Sequence, residues 1–284
     1  MHSINIVRRW VGPLLSAAAI LAAATGCSSP RPLSLGVMTD IQYALKAPTG
    51  NCYYAVSIDK LADCVHDLNQ RKLSFAIELG DLVDGQPGDP EKTQIDLDSI
   101  LLVYKTFEST KYHVIGDHCR EPWLAAMGHP KTPKKFYYDF NVPDVKGWHF
   151  VVLDGSDAGE GVIGDEQLKW FKDALDQAKT NGERVICFCH FPLVPEASKT
   201  VHIMNPERVF EVMDANGSVF AWFSGHDHEG GYALRKGVHH VTLKAMVEGE
   251  TDTAYAVVEE VTTGLKITGF GRETSRDLPF TPAQ

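Results

Sequence analysis

The chain has 284 residues, 44% of them hydrophobic and 23% charged, and its 27 Lys+Arg against 37 Asp+Glu give a formal charge of −10. With 24 Gly, 15 Pro and a single long apolar run, it is neither collagenous nor low-complexity, nor a polytopic membrane protein. The acidic balance and the lack of a basic run exclude the clustered Lys and Arg that a nucleic acid duplex requires.

Residues 1–26 carry Arg8 and Arg9, an apolar stretch over 10–24, and then Ala24-Thr25-Gly26 before Cys27. This basic, apolar, small-residue order is that of an export signal, and about 15 apolar residues fall short of the ~20 that hold a helix across a bilayer. Small residues running into a cysteine are similar to the lipobox of bacterial lipoproteins, which implies lipidation of Cys27; the alternative is plain signal-peptidase cleavage. The expected organisation is a signal peptide over 1–26, a linker over 27–33, one domain over 34–276 and a tail over 277–284. Such a protein is exported to the periplasm or cell surface and meets the membrane through its lipid anchor only. Apart from Cys27, the six cysteines leave an odd number, so one thiol stays unpaired within a monomer. Cys52 with Cys64 is the pairing that proximity suggests.

Short apolar runs at 33–38, 75–79, 113–115, 150–153, 185–189, 219–223 and 238–243 have the length and Val, Ile and Phe content of buried strands. Cys187 and Cys189 fall on one face of theirs. Between the runs lie helical periods: Ile58, Leu61, Val65 and Leu68; Leu97, Ile100, Leu101 and Tyr104; Leu168, Phe171, Leu175 and Ala178. Asn205 as N-cap, Pro206, Glu207 and a closing Gly217 predict one more helix. Strands alternating with helices define an α/β fold, and two alternating segments around Thr263-Gly264 predict an added hairpin. Gly159, Gly161 and Gly164 match a dinucleotide fingerprint formally, but residues 154–158 separate them from the preceding strand, so a loop is expected there.

The chemistry stands where the strands end. The runs lead into Asp40-Ile41-Gln42, Gly80-Asp81-Leu82-Val83-Asp84, Gly116-Asp117-His118-Cys119, His190, and Gly225-His226-Asp227-His228. Carboxyl ends of strands in an α/β sheet border one crevice, so these segments can meet. Any one of them alone reads as a turn, a cap or a satisfied polar residue; together they do not. Carboxylate, amide and imidazole ligands without thiolate suit Mn, Fe or Zn. The set is too large for one ion, whereas two divalent metal ions sharing Asp81 would use it fully. Paired ions ~3.5–4 Å apart clamp a phosphoryl displacement and lower the pKa of bound water from ~15.7 towards ~7. The glycines before Asp81, Asp117 and His226 are expected to let the backbone turn sharply there.

This arrangement resembles the calcineurin-like metallophosphoesterase superfamily, with its motif order DxH, GDxxD, GNH(D/E), H and GHxH, and the resemblance spans nearly all of the chain after Cys27. Gln42 in place of the first-motif His, HFPL at 190–193, GHDHEGGY at 225–232, GVHH at 237–240, Tyr53-Tyr54 and VVLDG at 151–155 are similar to the manganese-dependent ADP-ribose/CDP-alcohol diphosphatases. The resemblance implies a four-layer α/β/β/α sandwich with two mixed sheets. It also implies one ion on Asp40, Gln42, Asp81 and His228, a second on Asp81, Asp117, His190 and His226, and a bridging hydroxide as nucleophile. His118 would stabilise the phosphorane or protonate the leaving oxygen, and Asp84 would hold a ligand through a hydrogen bond. Arg120, Tyr43, Tyr53, Tyr54 and Phe191 lie near motif ends, where they either grip a diphosphate or stack on a base, or else belong to core and rim. His239 and His240 are pocket wall or structural.

One departure is Asp117, where the family has Asn. An anionic ligand binds its cation more tightly, repels the incoming phosphate and lacks the amide NH₂ donor. A slower enzyme or an altered metal preference is expected, rather than an empty site. The leading function is hydrolysis of a small phosphorylated or nucleotide-derived substrate. The alternatives are a broad extracytoplasmic phosphatase or phosphodiesterase, and a metal-retaining lipoprotein with little turnover.

Overall fold

The computed structural model describes residues 30–118, 135–198 and 202–280. The signal, Cys27, Cys119 and Arg120 lie outside the described residues. Two six-stranded sheets form the centre of the molecule. The first contains β1 (Ser34–Met38), β2 (Phe75–Glu78), β3 (Lys111–His113), β10 (Ala254–Val261), β11 (Gly264–Gly271) and β12 (Arg276–Pro279), in the order β12-β11-β10-β1-β2-β3. The second contains β4 (Tyr138–Phe140), β5 (Trp148–Leu153), β6 (Arg184–Cys189), β7 (Val219–Ser224), β8 (Gly231–Arg235) and β9 (Val238–Thr242), in the order β4-β5-β6-β7-β9-β8. Pairings β1·β2, β2·β3, β5·β6, β6·β7 and β7·β9 are parallel, and β10, β11, β12, β4 and β8 are added antiparallel.

Alternation along each strand divides the core into three layers. Leu35, Val37, Phe75 and Ile77 of one sheet meet Phe150, Val152, Ile186 and Phe188 of the other, with Phe75 edge-on to Phe150 at 4.9 Å and to Phe140 at 5.3 Å. The opposite face of the first sheet is covered by α1 (Ser57–Asn69) and α2 (Pro90–Tyr104), through Leu61, Leu68, Leu97, Ile100 and Tyr104. The outer face of the second is covered by α3 (Asp165–Thr180) and α4 (Pro206–Asn216), through Leu168, Phe171, Val209 and Met213. The result is the expected four-layer α/β/β/α sandwich. No helix among the described residues is long and apolar enough to cross a membrane.

Several local readings change. Asn205 stands at the N-cap position of α4 as expected, but its side chain makes no capping bond: it accepts from Ile163 N at 3.1 Å and donates to Ile163 O at 2.8 Å, tying the helix start to the loop before α3. The hairpin turns at residues 262–263, because Val261 pairs with Gly264, and a side chain at Gly264 would collide with the Leu278 carbonyl of β12. That strand carries the sheet to Pro279, past residue 276 where the domain was expected to stop. Cys52 and Cys64 are both free, since Cys64 is buried in α1 under the first sheet while Cys52 stands at the rim of the site.

Candidate metal centre

The parallel strands end at one place, and backbone hydrogen bonds stitch their ends together. Asp40 N donates to Gly80 O at 3.1 Å, Gln42 N to Asp81 O at 2.8 Å, and Gly225 N to His190 O at 2.9 Å. Within this lattice Asp40 (φ 50°), Gln42 (φ 43°), Asp81 (φ 62°) and His226 (φ 65°) are left-handed. A left-handed non-glycine residue costs about 1–2 kcal/mol, so the strain sits on the functional residues themselves. Of the three motif glycines, Gly80 is left-handed (φ 111°), whereas Gly116 and Gly225 serve close approach: a Cβ would stand 2.7 Å from Asp81 Cγ at the former and 3.0 Å from Thr39 Cβ at the latter.

The carboxylates of Asp40 and Asp81 are each oriented by donors that leave one oxygen facing inward. Asp40 Oδ2 accepts from the Thr39 hydroxyl at 2.6 Å and from His226 N at 2.9 Å, and its Oδ1 lies 3.8 Å from His228 Nε2. Asp81 Oδ1 accepts from His118 N at 3.0 Å, while its Oδ2 faces His190 Nε2 at 3.2 Å. Asp117 Oδ1 is 3.0 Å from His190 Nε2 and 3.1 Å from His226 Nδ1. Asp40 Oδ1, Asp81 Oδ2 and Asp117 Oδ1 are buried, and none accepts a well-aligned hydrogen bond. The imidazoles are oriented too: His190 Nδ1 donates to Leu79 O and His228 Nδ1 to Glu248 Oε1, each at 2.9 Å, so each Nε2 faces a carboxylate. Orphaned oxygens facing imidazole nitrogens are a donor set suited to divalent cations. Asp81, Asp117, His190 and His226 bring ligand atoms within 4.8 Å of one another, while Asp40, with His228 beside its Oδ1, and Gln42 are bonded through their backbone to the Gly80–Asp81 strand end.

The charges follow from this crowding. Burial penalises the anions of Asp81 and Asp117, yet His190 holds both carboxyls below the usual carboxylate range, with His226 assisting at Asp117. Burial also opposes the cation on His190, but Asp81 and Asp117 raise it well above an ordinary imidazole. At His228 burial is outweighed by Cys52, Asp40 and Glu248, which push it up to about 9. His118 is opened to solvent by the strand end. Its Nδ1 donates to Asp84 O at 2.7 Å, and its Nε2 is 3.9 Å from both Asp81 Oδ2 and Asp117 Oδ2. Burial lowers its pKa, and Asp81, the Asp84 carbonyl and Asp117 more than restore it.

Asp84 thus holds His118 rather than a metal ligand, and its carboxylate is bonded by Lys46, whose ammonium lies 4.0 Å from the centre of the Tyr54 ring. Two aromatic expectations are corrected. Phe191 is 1% exposed and packs its ring 4.4 Å from that of His226, so it backs the ligands from beneath and offers no face to a substrate. Tyr43 is buried among Leu97, Ile100 and Leu101 against α2. His239 bonds Tyr232 within the second sheet and the Pro279 carbonyl of the first, and the buried His240 beside it is pushed down to about 4 by burial. The sequence reading missed Glu248, Cys52 and Lys60. Glu248 follows a strand without any ligand spacing, and no pattern in the chain marks it.

Two mixed sheets delivering carboxylates and imidazoles from their strand ends define a metallophosphoesterase. The calcineurin-like phosphoesterase family model matches residues 33–230, and the chain belongs to that family. It is a hydrolase of phosphate ester or anhydride bonds that works with divalent metal ions. It is similar to the manganese-dependent ADP-ribose/CDP-alcohol diphosphatase of Arabidopsis thaliana, at 30% identity over 89% of this chain and 99% of that one. The protein of that name from Oryza sativa subsp. japonica is 29% identical over 90% of this chain and 97% of its own length, and that from Homo sapiens 24% identical over 89% and 94%. Among solved structures, a dimetal phosphatase from Danio rerio shares the fold with a TM-score of 0.78 at 22% identity, covering 88% of this chain and 100% of that one. A purple acid phosphatase from yellow lupin does so with a TM-score of 0.62 at 13% identity, over 88% and 53%.

Proposed function

We propose that the chain is a binuclear, manganese-dependent phosphohydrolase that cleaves the diphosphate of nucleoside-diphosphate-linked compounds of the ADP-ribose or CDP-alcohol type. The observation that carries the binuclear reading is Asp81: it is buried, its backbone carbonyl accepts from Gln42 N of one ligand group, and its Oδ2 faces His190 of the other. Asp40, Gln42, Asp81 and His228 would hold one ion and Asp81, Asp117, His190 and His226 the other. When bound, the ions neutralise the phosphoryl oxygens and lower the pKa of water from ~15.7 towards ~7. The protein's own part is orientation and proton transfer. His118 is pinned through Nδ1 by the Asp84 carbonyl, so Nε2 is the nitrogen left to give a proton to the leaving oxygen as the phosphorus–oxygen bond breaks. Lys46, clamped by Asp84 beside the same imidazole, adds a cation to the rim that an incoming diphosphate meets. The diphosphate substrate class and manganese are supported by the relatives named manganese-dependent ADP-ribose/CDP-alcohol diphosphatases, which match about nine-tenths of this chain.

Mn²⁺-loaded protein should release AMP from ADP-ribose and CMP from CDP-choline faster than it releases phenolate from an aryl phosphate. A faster aryl phosphate reaction would make it a broad phosphatase, and metal retention without any hydrolysis would make it a non-catalytic binder. For the N-terminus the reading remains export with acylation at Cys27. It is supported by residue order alone, and mass spectrometry of the membrane-extracted protein tests it: an unmodified Cys27 or an intact signal contradicts it.

A further inference from the structure

Beside the expected dinuclear set, a second constellation occupies the rim. Cys52 and Glu248 stand opposite each other across a short antiparallel ladder, in which Tyr53 N donates to Val247 O at 3.0 Å and Gly249 N to Asn51 O at 2.9 Å. This platform is stiffened from below by the buried Lys60 ammonium. It donates to the carbonyls of Met246 at 3.1 Å, Val247 at 3.3 Å, Glu248 at 3.1 Å and also Gly249. The Asn51 amide fixes Glu248 Oε2 at 2.5 Å, leaving Oε1 to face inward. There it meets His228 Nδ1 at 2.9 Å and Cys52 Sγ at 3.4 Å, and the sulfur and the nitrogen are 3.8 Å apart.

A tetrahedral ion with bonds of about 2.3 Å to sulfur and about 2.0–2.1 Å to nitrogen and oxygen separates its ligand atoms by about 3.3–3.6 Å. The three observed separations bracket that range, so shifts of a few tenths of an ångström complete the site. A thiolate selects a soft ion, unlike the oxygen and nitrogen donors of the neighbouring centre. The three side chains are half-buried, with 24% of His228 and 17% of Glu248 exposed, which leaves an entry path from solvent.

We propose that Cys52 Sγ, His228 Nδ1 and Glu248 Oε1 form a separate site for one thiophilic divalent ion of the zinc type, with water in the fourth position. Binding releases two protons to solvent, one from the Cys52 thiol and one from His228 Nδ1, and replaces the hydrogen bond from His228 to Glu248 by two metal–ligand bonds. The proposal rests on the reading above only in that His228 then bridges the two sites.

The test uses protein saturated with Mn²⁺ and titrated with Co²⁺ as the probe. A thiolate-to-cobalt charge-transfer band should appear and saturate at one cobalt per chain. It should vanish in Cys52→Ser, and in Glu248→Gln it should need at least tenfold more cobalt. No band in the wild type, or an equal band in Cys52→Ser, overturns the proposal. If Cys52→Ser does not fold, X-ray absorption on the cobalt-loaded wild type decides: one sulfur neighbour at about 2.3 Å supports the site, and a shell of oxygen and nitrogen alone overturns it. The manganese content is counted before the titration. Fewer than two manganese per chain with the cobalt–thiolate band present would defeat the binuclear reading and leave this site standing.

Discussion

Replacing Gly116 by Ala should disable the centre without substituting any ligand. A Cβ there would stand 2.7 Å from both Cγ and the backbone N of Asp81, and closer still to Oδ1, whereas real Cβ contacts essentially never fall below 3.0 Å. Side-chain rotation cannot relieve a clash with the backbone nitrogen. That backbone is itself fixed, left-handed at φ 62° and bonded by Gln42 N. The carboxylate must swing off His118 N or the strand end must shift, at an overpacking cost of about 1–3 kcal/mol. For a chain of this size that lowers Tm by about 2–4 °C per kcal/mol. Metal bonds of about 2.0–2.2 Å do not survive an ångström of displacement, so calorimetric titration of apoprotein with Mn²⁺ should show both sites weakened at least tenfold. Gly182→Ala is the control: it imposes a left-handed alanine at φ 71° with nothing within 4 Å, and should lower Tm slightly with manganese binding intact. Two manganese bound by Gly116→Ala with wild-type affinity would defeat this reasoning.

His118→Asn should reduce turnover by about 10²–10⁴-fold while two manganese remain bound, because Asp81 is held by the backbone N of residue 118 and not by its ring; metal loss in step with activity would make His118 a structural element. Asp117→Asn should keep both ions and turn over at least as fast as the wild type at saturating Mn²⁺, and a slower variant with intact metal content would contradict the electrostatic argument. Glu78 is fully buried, and burial reinforced by Asp81 raises its carboxyl well above the usual range. The unfolded chain ionises this group first, above pH ~4.3, so apoprotein stability declines from there upward until folded Glu78 ionises. Glu78→Gln lacks that slope, and its Tm advantage over the wild type should widen from pH 5 to pH 8 in calorimetric scans. A constant difference would show that Glu78 ionises normally.

The strands and helices that carry the site were legible because parallel strands covered on both faces read as continuous apolar runs. The edges were not. β4, β8 and β12 are short, alternate half-buried or buried with exposed residues, and have no run to betray them. The ligands were legible because each stands at the end of such a run. Their backbone was not: glycine marks where the chain is permitted to turn, yet the left-handed positions here are Asp40, Gln42, Asp81 and His226, held by cross-strand bonds that only the assembled fold supplies. Tyr43 and Phe191 show the converse, since adjacency to a motif in sequence says nothing about which way a ring points. Glu248 escaped notice because its partner His228 lies across a strand pair, joined by a ladder to Cys52.

Whether one carboxylate joins two cations is read most directly by electron paramagnetic resonance on Mn²⁺-loaded protein of measured metal content. Two manganese per chain with a spin-coupled spectrum that Asp81→Asn abolishes is the outcome expected. A single manganese per chain, or two that are magnetically independent, would mean that Asp81 does not bridge.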